Sequence, residues 1–256
     1  MDLAGKRIVI TRPRSQADEL AASLRALGAE PVLFPVITIG ALEDTTALDG
    51  ALRRLADYDW VIFTSVNGVQ AVWERLEALD LPGIPAGVRL AAIGPQTAAA
   101  LQARQAAPDY VPEAFVAEAI SPGLGDLSGR RVLLPRADIA RPALALAIRQ
   151  AGGIADEVAA YRTLPVSPGE AALQALRAGV DVVTFTSSST VLNFLGTAAL
   201  LAEHGLDVRR LPGNPIYACI GPVTAATAEQ QGLSVAVVAE TYTTAGLLEA
   251  LARYTV

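Results

Sequence analysis

One histidine, one cysteine, one methionine and a single lysine, Lys6, occur in 256 residues, and this scarcity removes several chemistries. A zinc site built from Cys and His side chains is not available within one chain. A Ser-His-Asp triad would have to use His204. That residue follows "LLAE" and precedes Gly205, so it reads as a helix end, where the dipole favours a histidine. A Schiff base would need Lys6, which "GKRIVI" puts at the solvent-facing start of a strand. Cys219 takes the place that Ala92 holds in a similar segment, and reads as a small buried core residue. Neither GxxxxGK(S/T) nor a strand-linked GxGxxG is present, so no nucleoside triphosphate or dinucleotide is expected, and no cofactor of any kind is indicated. Basic excess is missing too. The formal net charge is −6, which argues against a nucleic-acid surface. Polar residues break every apolar run before membrane-spanning length, and Met1 to Val9 lacks a basic segment followed by an apolar one. A soluble cytoplasmic protein follows from these absences; a monomer is expected separately.

What the chain does have is hydrophobic content, 52%, ample for one large or two modest domains. It also has a duplication. The stretch beginning "GKRIVITRPRSQ" at Gly5 aligns with "GRRVLLPRADIA" at Gly129, pairing Arg12 with Arg136, Gly28 with Gly152 and Ile37 with Tyr161. "DWVIFTSVNGV" matches "DVVTFTSSSTV", pairing Thr64 with Thr186 and Ser65 with Ser187. "AAIGPQTAAAL" returns as "ACIGPVTAATA", and Glu113 pairs with Glu240.

Each half reads as short apolar strands alternating with amphipathic helices, the pattern of a parallel sheet covered on both faces. Strands are expected at 7–11, 31–34, 59–63, 89–93, 109–111, 131–134, 154–158, 180–185, 215–220 and 234–238. Helices are expected at 15–27, 45–56, 67–79, 95–105, 115–120, 140–151, 168–178, 189–204, 222–231 and 244–253. Ser15 with Asp18 suggests a capping box for the first helix, and Gly28 its end. Ligands of such sheets collect outside the carboxyl ends of the strands, where all the repeated motifs lie.

"FTSVNG" and "FTSSST" end buried strands with more polar atoms than an ordinary N-cap needs: Thr64, Ser65 and Asn67 in one, Thr186, Ser187, Ser188 and Ser189 in the other. The two Ile-Gly-Pro turns place Gly94 and Gly221 before proline at the first helical position. The amides of Gln96, Thr97 and Ala98 then lack helical partners at the positive end of a dipole, with the Thr97 and Thr224 hydroxyls beside the helix mouth. Such ends attract anions. Arg12 and Arg136 follow the first strand of each repeat and suit bidentate carboxylate binding, or serve as plain surface charges. Asp57, Asp59, Glu113 and Glu240 need no catalytic explanation. Tyr161 in "AAYRTLP" breaks the symmetry of the duplication and is the proton donor placed at a junction; packing is its plainer reading.

The ordered motifs "ITRP", "FTSVNGV", "AAIGPQTA", "LLPRA", "YRT", "FTSSSTV", "CIGPVTA" and "VAETYTTAGL" resemble the uroporphyrinogen-III synthase family over almost the whole chain. The resemblance implies two flavodoxin-like or Rossmann-like α/β domains joined by a two-stranded linker, at about 35–40 and 161–168. It implies that 1–36 pairs with 167–256 while 37–166 forms an inserted domain; the residues alone equally permit two consecutive halves. The implied reaction closes hydroxymethylbilane, a linear tetrapyrrole, with inversion of the terminal pyrrole and loss of water, using neither metal nor organic cofactor. Tyr161 then matches the family's tyrosine that assists departure of the hydroxyl group. Transient contact with the enzyme that makes hydroxymethylbilane is a further expectation. Two other classes share these residues: a non-catalytic two-domain sensor of an anionic metabolite, and, more weakly, a glycosyltransferase-like enzyme, which should show a nucleotide-sugar site.

Overall fold

A computed structural model of the chain describes residues 1–113 and 119–254. The chain divides into two units, Met1–Thr38 with Leu164–Val256, and Ile39–Thr163. It passes between them in two strands, β3 (Ile37–Gly40) and β7 (Ile154–Pro165), which are hydrogen-bonded neighbours.

The first unit holds strands β1 (Arg7–Ile10), β2 (Glu30–Leu33), β8 (Val182–Phe185), β9 (Ile216–Cys219) and β10 (Val235–Val238) in the order β10-β9-β8-β1-β2, all parallel. Counted along the unit's own segments this is the 2-1-3-4-5 order of a doubly wound sheet. The second unit orders its strands β3-β7-β6-β4-β5, with β4 (Trp60–Phe63), β5 (Arg89–Ala92) and β6 (Arg131–Ala137). The neighbours β7-β6, β6-β4 and β4-β5 are parallel.

The two sheets do not correspond to the two sequence repeats. β1 and β2, from the first repeat, pair with β8 to β10 from the second; β6 and β7, from the second, pair with β4 and β5 from the first. The contact that decides this is Ile8 against Val182 and Ile10 against Thr184. Thr11 Oγ1 donates to the Thr184 carbonyl and Thr184 Oγ1 to that of Val9, both at 2.7 Å, so even the polar side chains of this seam are satisfied within it.

Strands buried on both faces explain why the apolar runs are continuous rather than alternating. In β1, Ile8 and Ile10 enter one core and Val9 the other. In β4, Val61 and Phe63 face one side, Trp60 and Ile62 the other. Helices α1 (Ala17–Ala26), α6 (Glu170–Arg177), α7 (Ser188–Gly196), α8 (Ala198–Glu203), α9 (Pro222–Gln230) and α10 (Thr244–Arg253) belong to the first unit. The second contains α2 (Thr46–Arg53), α3 (Val66–Ala78), α4 (Pro95–Gln102) and α5 (Ala143–Gln150).

Several local expectations are corrected. Ser15 caps nothing: it lies in a 3-10 turn, Arg14–Gln16, closed by the Gln16 amide on the Pro13 carbonyl, and α1 starts at Ala17 without a side-chain cap. Asp18 and Glu19 instead meet the dipole in the first turn. Gly28 does end the helix, at φ 78°. The helix expected over 189–204 is broken into α7 and α8 after Gly196, where Thr197 Oγ1 turns back onto the Phe194 carbonyl at 2.6 Å. The segment 109–111 contributes only an isolated bridge from Tyr110 to Ala91. β3 is a strand that apolar alternation did not mark. The helix expected at 115–120 falls largely on 114–118, outside the described residues.

The buried Asp49 on α2 tethers α3 through Arg75, whose Nη2 lies 2.6 Å from Oδ2. The Arg75 hydrogen bond holds the Asp49 carboxyl below its ordinary range. A depressed folded value stabilises the fold above the unfolded pKa of about 4 and loses that contribution as pH falls through the folded value. Asp49→Asn should therefore lower Tm at pH 7, and the gap from the parent should close on acidification. A gap that is constant with pH would contradict this.

Candidate active site

The motif residues sit at the carboxyl ends of their strands in both units. In the second unit, β4 ends at Phe63, Thr64 follows half-buried, and Ser65 at φ −163° N-caps α3. The Gly68 amide donates to Ser65 Oγ at 3.0 Å. Across the sheet, Tyr161 lies in β7, where pairing with β6 slips by one residue: Arg136 faces Ala159, but Ala137 faces Tyr161. This bulge puts Ala160 and Tyr161 into the same core cluster, although successive residues of a regular strand point to opposite faces. The consequence is a buried phenol, 8% exposed, whose oxygen is 3.0 Å from Ser65 Oγ and also hydrogen-bonds the Asn67 side chain. Burial raises the Tyr161 pKa above 10, opposed by its hydrogen bonding with Ser65 and Asn67.

Three residues from separate motifs, Ser65, Asn67 and Tyr161, thus converge. Arg136 is a different case. Its Nη1 bonds Glu157 Oε2 at 2.8 Å and its Nη2 the Arg141 carbonyl, while its buried Nε has no partner. Burial lowers its pKa and the charge of Glu157 opposes that. Gly94 N-caps α4 with Pro95 next, as the turn chemistry demands. Among the described residues the Gln96 and Thr97 amides make no backbone bond, but the Ala98 amide, expected to be free, donates to the Gly94 carbonyl at 3.0 Å and is the first closed bond of the helix. Thr97 is buried.

In the first unit Ser187 N-caps α7 in a closed capping box with Thr190. Ser187 Oγ also contacts Ser189 Oγ at 2.8 Å, and Ser188 Oγ contacts Thr227 Oγ1 at 2.7 Å. Gly221 N-caps α9, and Thr224 is buried like Thr97. A Cβ at Gly221 would come within 3.1 Å of the Tyr242 ring, a tight contact that the ring would have to relieve by shifting. Arg12 donates from Nη1 to Thr244 Oγ1 at 3.2 Å at the start of α10, and its buried Nε has no partner. Burial lowers the Arg12 pKa. Thr244 and Tyr242 were not singled out from the sequence, although Thr243 three residues before Gly246 in "TYTTAG" is a readable N-cap, and it does accept from the Gly246 amide. No cluster of three or more His, Cys, Asp or Glu suited to a metal ion occurs among the described residues.

Residues 18–249 match the family model described as uroporphyrinogen-III synthase HemD. The chain belongs to the uroporphyrinogen-III synthase family. It is 35% identical over 257 residues to the uroporphyrinogen-III synthase of Synechococcus elongatus, covering 98% of this chain and 96% of the relative. It is 25% identical over 254 residues to that of Chlorobaculum parvum, covering 96% and 98%. A crystal structure of a mutant uroporphyrinogen III synthase from the extremely thermophilic bacterium Thermus thermophilus shares the fold at a TM-score of 0.66 and 23% identity, covering 97% of this chain and 98% of that one. No helix among the described residues is long and apolar enough to cross a membrane.

Proposed function

We propose that this member of the uroporphyrinogen-III synthase family closes hydroxymethylbilane to uroporphyrinogen III, inverting the terminal pyrrole and releasing water, with Tyr161 as the acid that protonates the departing hydroxyl. The observation that carries the reading beyond family membership is the buried Tyr161 phenol, held by Ser65 and Asn67 at a strand bulge. The phenol is protonated across neutral pH, the state a proton donor needs, and burial shifts its ionisation further to the alkaline side. Hydrogen bonding with Ser65 and Asn67 works against the effect of burial and favours the phenolate once the proton has left.

The substrate carries eight carboxylates, which suit helix N-termini better than a basic surface, and the protein is acidic overall. Carboxylate positions are assigned to Thr64, Gly94, Thr97 and Arg136 in one unit and to Arg12, Ser187, Ser188, Ser189, Gly221 and Thr224 in the other, while Ser65 and Asn67 serve the Tyr161 phenol. Of the two arginines, Arg12 is the better ligand, because Arg136 already answers to Glu157. The substrate also cyclises by itself without inversion, so most of the catalytic task is to hold one conformation. The residues used need neither metal nor organic cofactor. A cytoplasmic location, action as a monomer and transient docking with the enzyme that releases the unstable substrate belong to the same reading.

Incubation with freshly made hydroxymethylbilane, followed by separation of the product isomers, tests it. The expected product is isomer III, formed well above the spontaneous rate. Isomer I alone, at the spontaneous rate, would leave a binding protein in place of an enzyme.

A further inference from the structure

The duplication gives each serine cap an internal control. Ser65 and Ser187 occupy paired positions, each follows a buried strand, and each accepts from the amide three residues on. In the first unit the serine's remaining capacity is spent locally. Ser187 Oγ meets Ser189 Oγ, and the Ser187 amide donates to Thr190 Oγ1 at 3.2 Å. In the second unit the counterparts of Ser189 and Thr190 are Asn67 and Gly68. Glycine has no side chain to close the box, and a Cβ there would stand 3.1 Å from the Pro135 carbonyl oxygen and 3.3 Å from Ser65 Oγ. Ile37, the counterpart of Tyr161, is plain core. Val66, in place of Ser188, is exposed, but these three departures from symmetry fall on residues that touch, or leave room around, the contact between Ser65 and Tyr161.

We propose that Ser65 is a positioning residue for Tyr161: anchored by the Gly68 amide, its hydroxyl donates to the phenolic oxygen, so that the phenol's own proton is kept for the substrate. This rests on the synthase reading above. The phenolic oxygen carries one proton and two lone pairs. With Ser65 and Asn67 donating to it, both acceptor directions are filled, and its proton has no protein partner at either residue. In the reverse orientation the phenol would spend that proton on Ser65. During the reaction the phenolic proton passes to the terminal hydroxymethyl oxygen, the C–O bond breaks and water leaves. The phenolate stays between two donors while the terminal pyrrole bonds to the new cationic carbon through its substituted α-carbon, gives up that carbon's old bond to the bridge, and rejoins the bridge through its free α-carbon, whose proton is then released and restores the phenol.

The test uses the full chain labelled with fluorotyrosine, the residue 161 fluorine signal being assigned by its loss in Tyr161→Phe. Ser65→Ala should raise the residue 161 pKa by about one unit and lower kcat for isomer III about tenfold, with KM within about twofold. Ser65→Thr, which keeps the hydroxyl, should restore both. Ser187→Ala, which removes the equivalent cap, should lower Tm by a similar amount and leave the residue 161 titration in place. If Ser65→Ala does not fold, Ser65→Asp serves, since it caps the helix but has no proton to donate: kcat should again fall at least about tenfold. A Ser65→Ala protein, or failing that Ser65→Asp, that loses Tm but keeps the parent's residue 161 titration and kcat would overturn the proposal while leaving the synthase reading intact. A parent protein that makes only isomer I would end the synthase reading, whatever the titration shows.

Discussion

Tyr161→Phe should lower kcat for uroporphyrinogen III by about a hundredfold while still leaving activity above the uncatalysed reaction. General acid catalysis contributes about 10² to 10⁴ in rate. The lower figure applies because burial raises the phenol's pKa, which makes Tyr161 a weak acid at neutral pH. The remaining turnover comes from holding the substrate in one conformation, which phenylalanine does not disturb: the ring fills the same space, and the loss is one hydroxyl among Ser65, Asn67 and the substrate. The parent's kcat should decline only on the alkaline side, at a pH above the ordinary tyrosine value of about 10, as the phenol ionises. The variant should lack that limb. Turnover by Tyr161→Phe equal to the parent's would remove the phenol from the mechanism.

The largest effect on stability is expected in the first unit, at Phe194. This ring is fully buried and meets Phe34 edge-on at 5.9 Å and Phe185 at 5.4 Å. It joins a helix, α7, to the strand that precedes that helix and to the segment leaving β2, so one side chain links both sequence repeats in a single core. Phe194→Ala should cost about 3–5 kcal/mol, since the cavity it leaves adds to the lost transfer free energy and to the edge-to-face contacts. Urea unfolding followed by far-UV circular dichroism would measure it. A loss below about 1 kcal/mol would mean that the neighbouring phenylalanines collapse into the space, against the rigidity assigned to this core.

The local code of the chain is legible where one residue decides one geometry. Proline at the first turn of α4 and α9, serine capping α3 and α7, and glycine at positive φ ending α1 follow from side-chain chemistry within four residues. The false capping box at Ser15 fails at the same scale for a visible reason, because Ser15 lies inside the 3-10 turn Arg14–Gln16 and the N-cap of α1 falls on Gln16 instead. The site divides in the same way. That Ser65 and Asn67 hold surplus polar atoms can be counted from "FTSVNG"; that the surplus meets Tyr161 cannot, since the contact spans 96 residues and depends on a bulge that no single residue announces. Arg136 shows the opposite outcome: paired with Arg12 by the duplication, it is tied by Glu157, a residue from the adjacent strand with no counterpart in the motif logic.

By itself the sequence determined the alternation of strand and helix, the burial of the strands on both faces, and the repetition of one set of turns in two halves. These are local or periodic, and neighbouring residues suffice to encode them. Only the tertiary structure decided which half of each repeat completes which sheet. Ile8 lies beside Val182, and Val132 beside Trp60, because parallel strands bond through backbone groups that every residue carries, so partner choice rests on the fit of side chains from distant segments.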